Sequence, residues 1–167
     1  MSVWSRDLIH NNWSPEDQLF KSNQSKRLHH SDVNGLNEYK RTALQVVMLG
    51  HTPLVEALLD AGADPTVRDP VLSLTVLHDA AREGFVDTVR VLADHRSVDV
   101  NAVDAKGNLP LHLAAREGHV DVVQLLIGRT ADPRAPNGAG HTAGQLARCH
   151  RRTETAQFID GFLRSPQ

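Results

Sequence analysis

The sequence predicts an all-α solenoid of stacked helix-turn-helix units joined by short β-hairpin-like connecting turns. Three observations lead there: a segment that recurs after 34 residues, pairs of small residues inside each copy, and a shortage of aromatic residues (4%). Leu77-His78-Asp79-Ala80-Ala81-Arg82-Glu83-Gly84-Phe85-Val86-Asp87 matches Leu111-His112-Leu113-Ala114-Ala115-Arg116-Glu117-Gly118-His119-Val120-Asp121 at nine of eleven positions. The same frame catches Thr42-Ala43-Leu44-Gln45 upstream and Thr142-Ala143-Gly144-Gln145 downstream. Leu44, Leu77, Leu111 and Gly144 therefore follow one another at intervals of 33, 34 and 33 residues. With few large rings available, Ala, Val and Leu must build the core, which suits thin layers of closely packed helices.

Taken in chain order, each element has a local reason. Residues 1–31 lack an Ala-Ala-Arg-x-Gly element and carry Asn11-Asn12, Ser14-Pro15 and Ser22-Asn23-Gln24-Ser25. They are expected to form a degenerate first repeat or a loosely ordered N-terminal segment. Asp32-Val33-Asn34 fits the start of a turn between repeats, so well-formed repeats are expected over 32–136. Within them, Thr42 and Thr75 stand where a hydroxyl caps a first helix. Pro110 takes a first helical turn, where its missing N–H costs nothing. Gly50, Gly84 and Gly118 follow the first helices, where a left-handed residue is wanted. Second helices follow, with apolar pairs at matched offsets: Val55 and Leu58, Val89 and Leu92, Val123 and Leu126. Residues 137–167 keep the Thr142 cap but put Gly144 in the leucine slot and Arg151 in the glycine slot, as a C-terminal capping repeat and tail would. One helix pair cannot bury its apolar side alone, so the units must stack into a single domain, 1–167. A period near 33 with this Thr-x-Leu-His-x-Ala core is the signature of the ankyrin repeat.

Composition narrows the functional classes. The net charge is −2, the isoelectric point is about 6.5, and there is no basic stripe of the kind that neutralises phosphates, so nucleic acid is not an expected partner. A lone Cys149 excludes an internal disulfide and fits a reducing compartment. The longest apolar run, Val46–Leu49, is far below the roughly 18 residues of a membrane span, and the N-terminus shows no apolar signal region. A monomer in cytoplasm and nucleus is expected. His78 and His112 share one repeat position, and Gln45 and Gln145 fill it elsewhere. A ligand set would not tolerate that exchange, so these are structural histidines, with no metal and no cofactor. No convergent nucleophile and base is visible, and no enzyme is expected.

Two irregularities break the period. From Leu44 to Gly50 is six residues where the later repeats have seven, which shortens that first helix to about a turn. Asp69 to Leu77 is eight residues where Asp104 to Leu111 is seven, so Pro70-Val71-Leu72-Ser73-Leu74 makes a longer loop. With Thr42 to Gly50, Asp69-Pro70, His78 to Thr88 and Asn108 to His119, the sequence resembles the ankyrin-repeat inhibitors of the cyclin-D-dependent kinases 4 and 6. The resemblance spans about residues 32–163 and includes both irregularities. It implies inhibition without catalysis: the protein would sit beside the kinase nucleotide cleft, twist the two lobes apart and oppose cyclin engagement. That would hold cells in the first gap phase. It implies that Asp79 pairs with a kinase arginine and Asp69 with a second basic group. Val47 and Met48 would supply apolar contact, with Arg82 and Asp87 nearby.

The repeat itself weighs on these residues. Asp79 is matched by Leu113, so the fold needs no carboxylate there. Arg82 and Arg116 recur, which favours a structural salt bridge over a kinase contact. Asp87 and Asp121 also recur near a helix start, where negative charge suits the helix dipole, and both readings stand. Phe85 breaks the His119 pattern and is expected in the core. A general ankyrin adaptor for another protein is the alternative function.

Overall fold

The computed structural model describes residues 33–166, so the expected first repeat over 1–31 lies outside the described residues. Eight helices lie wholly within the described residues, in pairs: α1 (Ala43–Val46) and α2 (Thr52–Asp60), α3 (Val76–Glu83) and α4 (Val86–Asp94), α5 (Pro110–Glu117) and α6 (Val120–Ile127), α7 (Ala143–Cys149) and α8 (Thr153–Arg164). No strand occurs among the described residues. First helices α3, α5 and α7 pack side by side, and second helices α4, α6 and α8 form a parallel layer behind them. Small residues permit this closeness: Ala80, Ala81, Ala114, Ala115 and Ala147 are all fully buried. Leu44, Leu77 and Leu111 fill the matched slot between layers, with Val55, Leu58, Val89, Leu92, Val123 and Leu126 facing them. In the terminal pair, Ile159 of α8 lies 3.4 Å from where a Cβ on Gly144 would stand, so the leucine slot there is filled from the other helix.

The connecting turns follow one plan. Asn37, Asp104 and Asn137 each open a hairpin in which their N–H donates to the carbonyl four residues on (Arg41, Asn108 and His141). Each side-chain Oδ1 accepts two further backbone N–H groups inside its turn. In the longer loop, Asp69 N–H reaches Leu74 O instead, one residue further, as the insertion predicts. Successive fingertips are tied by backbone bonds, Ala105 N to Leu72 O at 2.8 Å and Gly138 N to Lys106 O at 2.9 Å.

Buried histidines lock each helix start to the next turn. His78 Nδ1 accepts from Thr75 N (3.2 Å), and its Nε2 meets Asn108 O (2.8 Å). His112 Nδ1 accepts from Leu109 N (2.9 Å), and its Nε2 meets Ala135 O (2.9 Å). A backbone N–H can only donate and a carbonyl only accept, so both rings are neutral with the proton on Nε2. Neither nitrogen is left for a metal. Gln45 reproduces the geometry, accepting from Thr42 N at 2.8 Å and donating to Val67 O at 3.3 Å. Burial holds both imidazoles below their ordinary value of 6.5, against the opposing pull of the carbonyls they bind. A depressed histidine stabilises the fold fully above the unfolded value. That stability is lost as pH falls below about 6.5, because the unfolded chain takes up the protons. Urea midpoints should therefore drop between neutral pH and pH 5, and the double substitution His78→Gln, His112→Gln should flatten that slope.

The glycines behave less uniformly than their spacing suggests. Gly84 and Gly118 adopt φ of +83° and +84° and close their helices. Gly50 is not left-handed; with α1 reduced to one turn, there is no helix end for it to close. Its missing Cβ instead admits the Phe85 ring, whose edge would lie 3.1 Å from a methyl there. Arg151 does take the left-handed slot of the terminal pair, at φ 59°.

Candidate functional site

The concave side between the hairpins and the first helices opens into a groove of about 1200 Å³ across the first two described repeats. Its shape begins at α1. The missing residue leaves four helical residues where α3 and α5 have eight, and Val47 turns the chain into extended conformation (φ −69°, ψ 158°). An unravelled segment leaves carbonyls without helical partners. Thr88 on α4 answers one of them: its hydroxyl donates to Leu49 O and lies 2.9 Å from Thr52 Oγ1. Thr88 is fully buried, so Thr88→Val should cost about 1–2 kcal/mol in chemical denaturation by stranding that carbonyl.

Met48, presented by this segment, is 40% exposed in the groove, whereas Val47 is 6% exposed and belongs to the core. The apolar surface expected from the pair is thus carried by Met48, because the extended turn sends the two side chains opposite ways. Phe85, expected in the core, instead lines the groove at 37% exposure, held against Gly50. Tyr39, Leu72 and Val71 complete the apolar wall from the hairpins.

The charged groups sit beside these. Asp79 lies in the first turn of α3 with its side chain 24% exposed, and its Oδ1 accepts from Arg82 Nη2 at 2.8 Å. Burial raises its carboxyl above the ordinary carboxylate range; Arg82 opposes this, and Asp69 and Glu83 reinforce it. Asp69 is more heavily committed. Its Oδ2 caps the N–H groups of Val71 and Leu72, and its Oδ1 holds Arg41 through Nε at 3.1 Å and Nη2 at 2.5 Å. Burial works against its ionisation, but the bonds from Leu72, Arg41 and Val71 outweigh it and hold the carboxyl low. Asp69 therefore has a turn-building role shared with Asn37, Asp104 and Asn137. Arg82 bridges Asp79 and, at 3.5 Å, Glu83. Its counterpart Arg116 turns to Glu117 at 3.0 Å, because Leu113 offers no carboxylate.

Asp69, Asp79, Arg82 and Met48 thus line one groove, with Val47 buried beneath it, although Asp69 and Asp79 come from different elements. Asp87 does not join them. It stands 75% exposed at the start of α4, paired with Arg90 at 3.3 Å. Sequence reasoning missed Arg41, Tyr39 and Leu72, which become groove residues only when neighbouring hairpins stack. The groove offers a carboxylate with one oxygen unclaimed among the described residues, beside an apolar floor. Such a surface suits a cationic, partly apolar protein segment. Among the described residues, no three His, Cys, Asp or Glu side chains gather to hold a metal ion, and no helix is long and apolar enough to cross a membrane.

Residues 43–137 match the family model described as Ankyrin repeats (3 copies). The chain is 45% identical over 82 residues to Cyclin-dependent kinase 4 inhibitor B of Homo sapiens, covering 48% of this chain and 58% of that protein. It is 46% identical over 83 residues to the protein of the same name from Bos taurus, covering 48% and 60%. To Cyclin-dependent kinase inhibitor 2A of Homo sapiens it is 44% identical over 79 residues, covering 47% and 49%. The matched region spans about half to three fifths of these relatives.

Proposed function

Because the chain belongs to the ankyrin-repeat family, and cyclin-dependent kinase inhibitors are similar to it over half its length, we propose that it is a non-catalytic inhibitor of cyclin-D-dependent kinases 4 and 6. The carrying observation is the groove formed where α1 is cut to one turn, which sets Met48 and Phe85 beside the Asp79 carboxylate. Asp79 accepts a kinase arginine in this reading, and the apolar floor seats the side chains around it. Binding there would oppose cyclin engagement and hold cells before S phase, with the protein acting in cytoplasm and nucleus.

Asp79→Asn tests this directly. Truncating one side of a desolvated charge pair costs roughly 2–5 kcal/mol, so calorimetric titration with kinase 4 or 6 should show affinity reduced on the order of 30-fold or more. The fold should not suffer. Its carboxyl is raised by burial, so the charged form is disfavoured in the folded chain, and removing that charge should leave thermal stability equal or higher at neutral pH. Parental affinity in Asp79→Asn would remove Asp79 from the interface; no binding by the parent to either kinase would leave the general adaptor reading.

A further inference from the structure

The concave side continues past the kinase groove into a second, smaller one with opposite electrostatic character. It measures about 630 Å³ and is lined by residues of the last two hairpins and of α5 and α7. Its lining holds two cationic side chains, Lys106 and Arg116, together with His141 and His150, and no carboxylate. Lys106 and His141 come from successive hairpins, at the tip of one and the base of the next, and Arg116 and His150 from the C-terminal ends of the facing helices. Lys106 stands two residues after the hairpin's opening Asp104, the position that Tyr39 holds after Asn37, so the repeat plan itself exchanges an apolar wall for a cationic one.

The nearby acids leave these cations available. Asp104 is buried and spends its oxygens on Lys106 N, Asn108 N and Asn108 Nδ2. Glu117 engages only Nε of Arg116. Lys106 and His141 make no ion pair with any described residue. The N–H groups of residues 105–108 and 138–141 are all satisfied inside the turns or between them, so recognition there would fall to the side chains.

The change of sign runs along the described repeats. Residues 33–104 hold six Lys and Arg against eleven Asp and Glu, whereas residues 105–166 hold eight against five. From this charge complementarity we propose that the groove between α5, α7 and their hairpins binds a short acidic segment of a protein partner. A peptide is favoured over nucleic acid for two reasons. No Phe, Tyr or Trp side chain lines the groove to form a broad platform for bases. An extended polyanion would also run on into Asp69, Asp79 and Glu83 of the neighbouring groove and be repelled. The inference does not depend on the kinase reading, since none of the residues assigned to kinase lies in this groove.

Fluorescence anisotropy of the full chain with a labelled peptide alternating Glu and Ser tests it, with the Gln-Ser peptide as the uncharged control. The acidic peptide should bind in a salt-sensitive manner and the control should not. The double substitution Lys106→Glu, Arg116→Gln should weaken binding by about tenfold or more, while Arg164→Glu, outside the groove, should leave it unchanged. Lys106→Glu alone, at an exposed fingertip, gives the same test without risk to the fold. Absence of binding by the acidic peptide, equal weakening by Arg164→Glu, or stronger binding of a single-stranded oligonucleotide of equal charge would overturn the proposal.

Discussion

Gly84→Ala should destabilise the protein by about 3 kcal/mol or more. Two costs add. The residue sits at φ +83°, where an L side chain meets the following carbonyl at roughly 1–2 kcal/mol. The new methyl would also stand 2.5 Å from His119 Nδ1, and overpacking of that kind costs roughly 1–3 kcal/mol. The histidine cannot simply withdraw, because its Nε2 bonds Arg82 O at 2.8 Å across the repeat boundary. Two related variants calibrate the result. At Gly118 the obstructing atom is Cδ of the flexible Arg152, and at Gly50 it is the edge of a half-exposed ring without left-handed backbone. Urea unfolding should rank the losses Gly84 above Gly118 above Gly50. A Gly84→Ala midpoint close to the parent's would show that the repeats are not joined this way.

His78→Ala carries the second large effect. The ring is fully buried, and its removal strands the Thr75 N–H, leaves the Asn108 carbonyl with only its bond from Asp104 N–H, and opens a cavity at the repeat junction. A stranded buried group costs about 1–3 kcal/mol and the cavity adds to it, so a loss of about 2–4 kcal/mol is expected, a large share of a small domain's stability. His78→Gln should retain most of the stability, because Gln45 already performs both bonds with Oε1 and Nε2. Equal damage from Gln and Ala would mean that ring volume, rather than the pair of bonds, is what the site requires.

Much of this was legible in one dimension. The 33-residue spacing, the Thr42, Thr75 and Thr142 caps, the alanine pairs and the short first helix all follow from local chemistry that repeats in register. Gln standing in for His at positions 45 and 145 marks the histidines as structural pieces of the repeat. Gly50 and Phe85 depart from what their places in the repeat suggest: the truncated α1 leaves Gly50 no helix end to close, and its missing Cβ leaves room for the Phe85 ring of the next repeat.

The groove shows the same division. That Asp79 is dispensable to the fold could be read from Leu113, and that Met48 stands on a truncated helix could be read from the count of residues. Which of Val47 and Met48 faces outward, that Asp69 is tied to Arg41, and that Asp87 stands apart required the stacked chain. Periodicity lives in backbone capping and side-chain size, which act over a few residues and leave a regular trace in the sequence. Side-chain direction and ion pairing are decided between hairpins 28 or more residues apart, as for Arg41 and Asp69, and only packing brings those groups together.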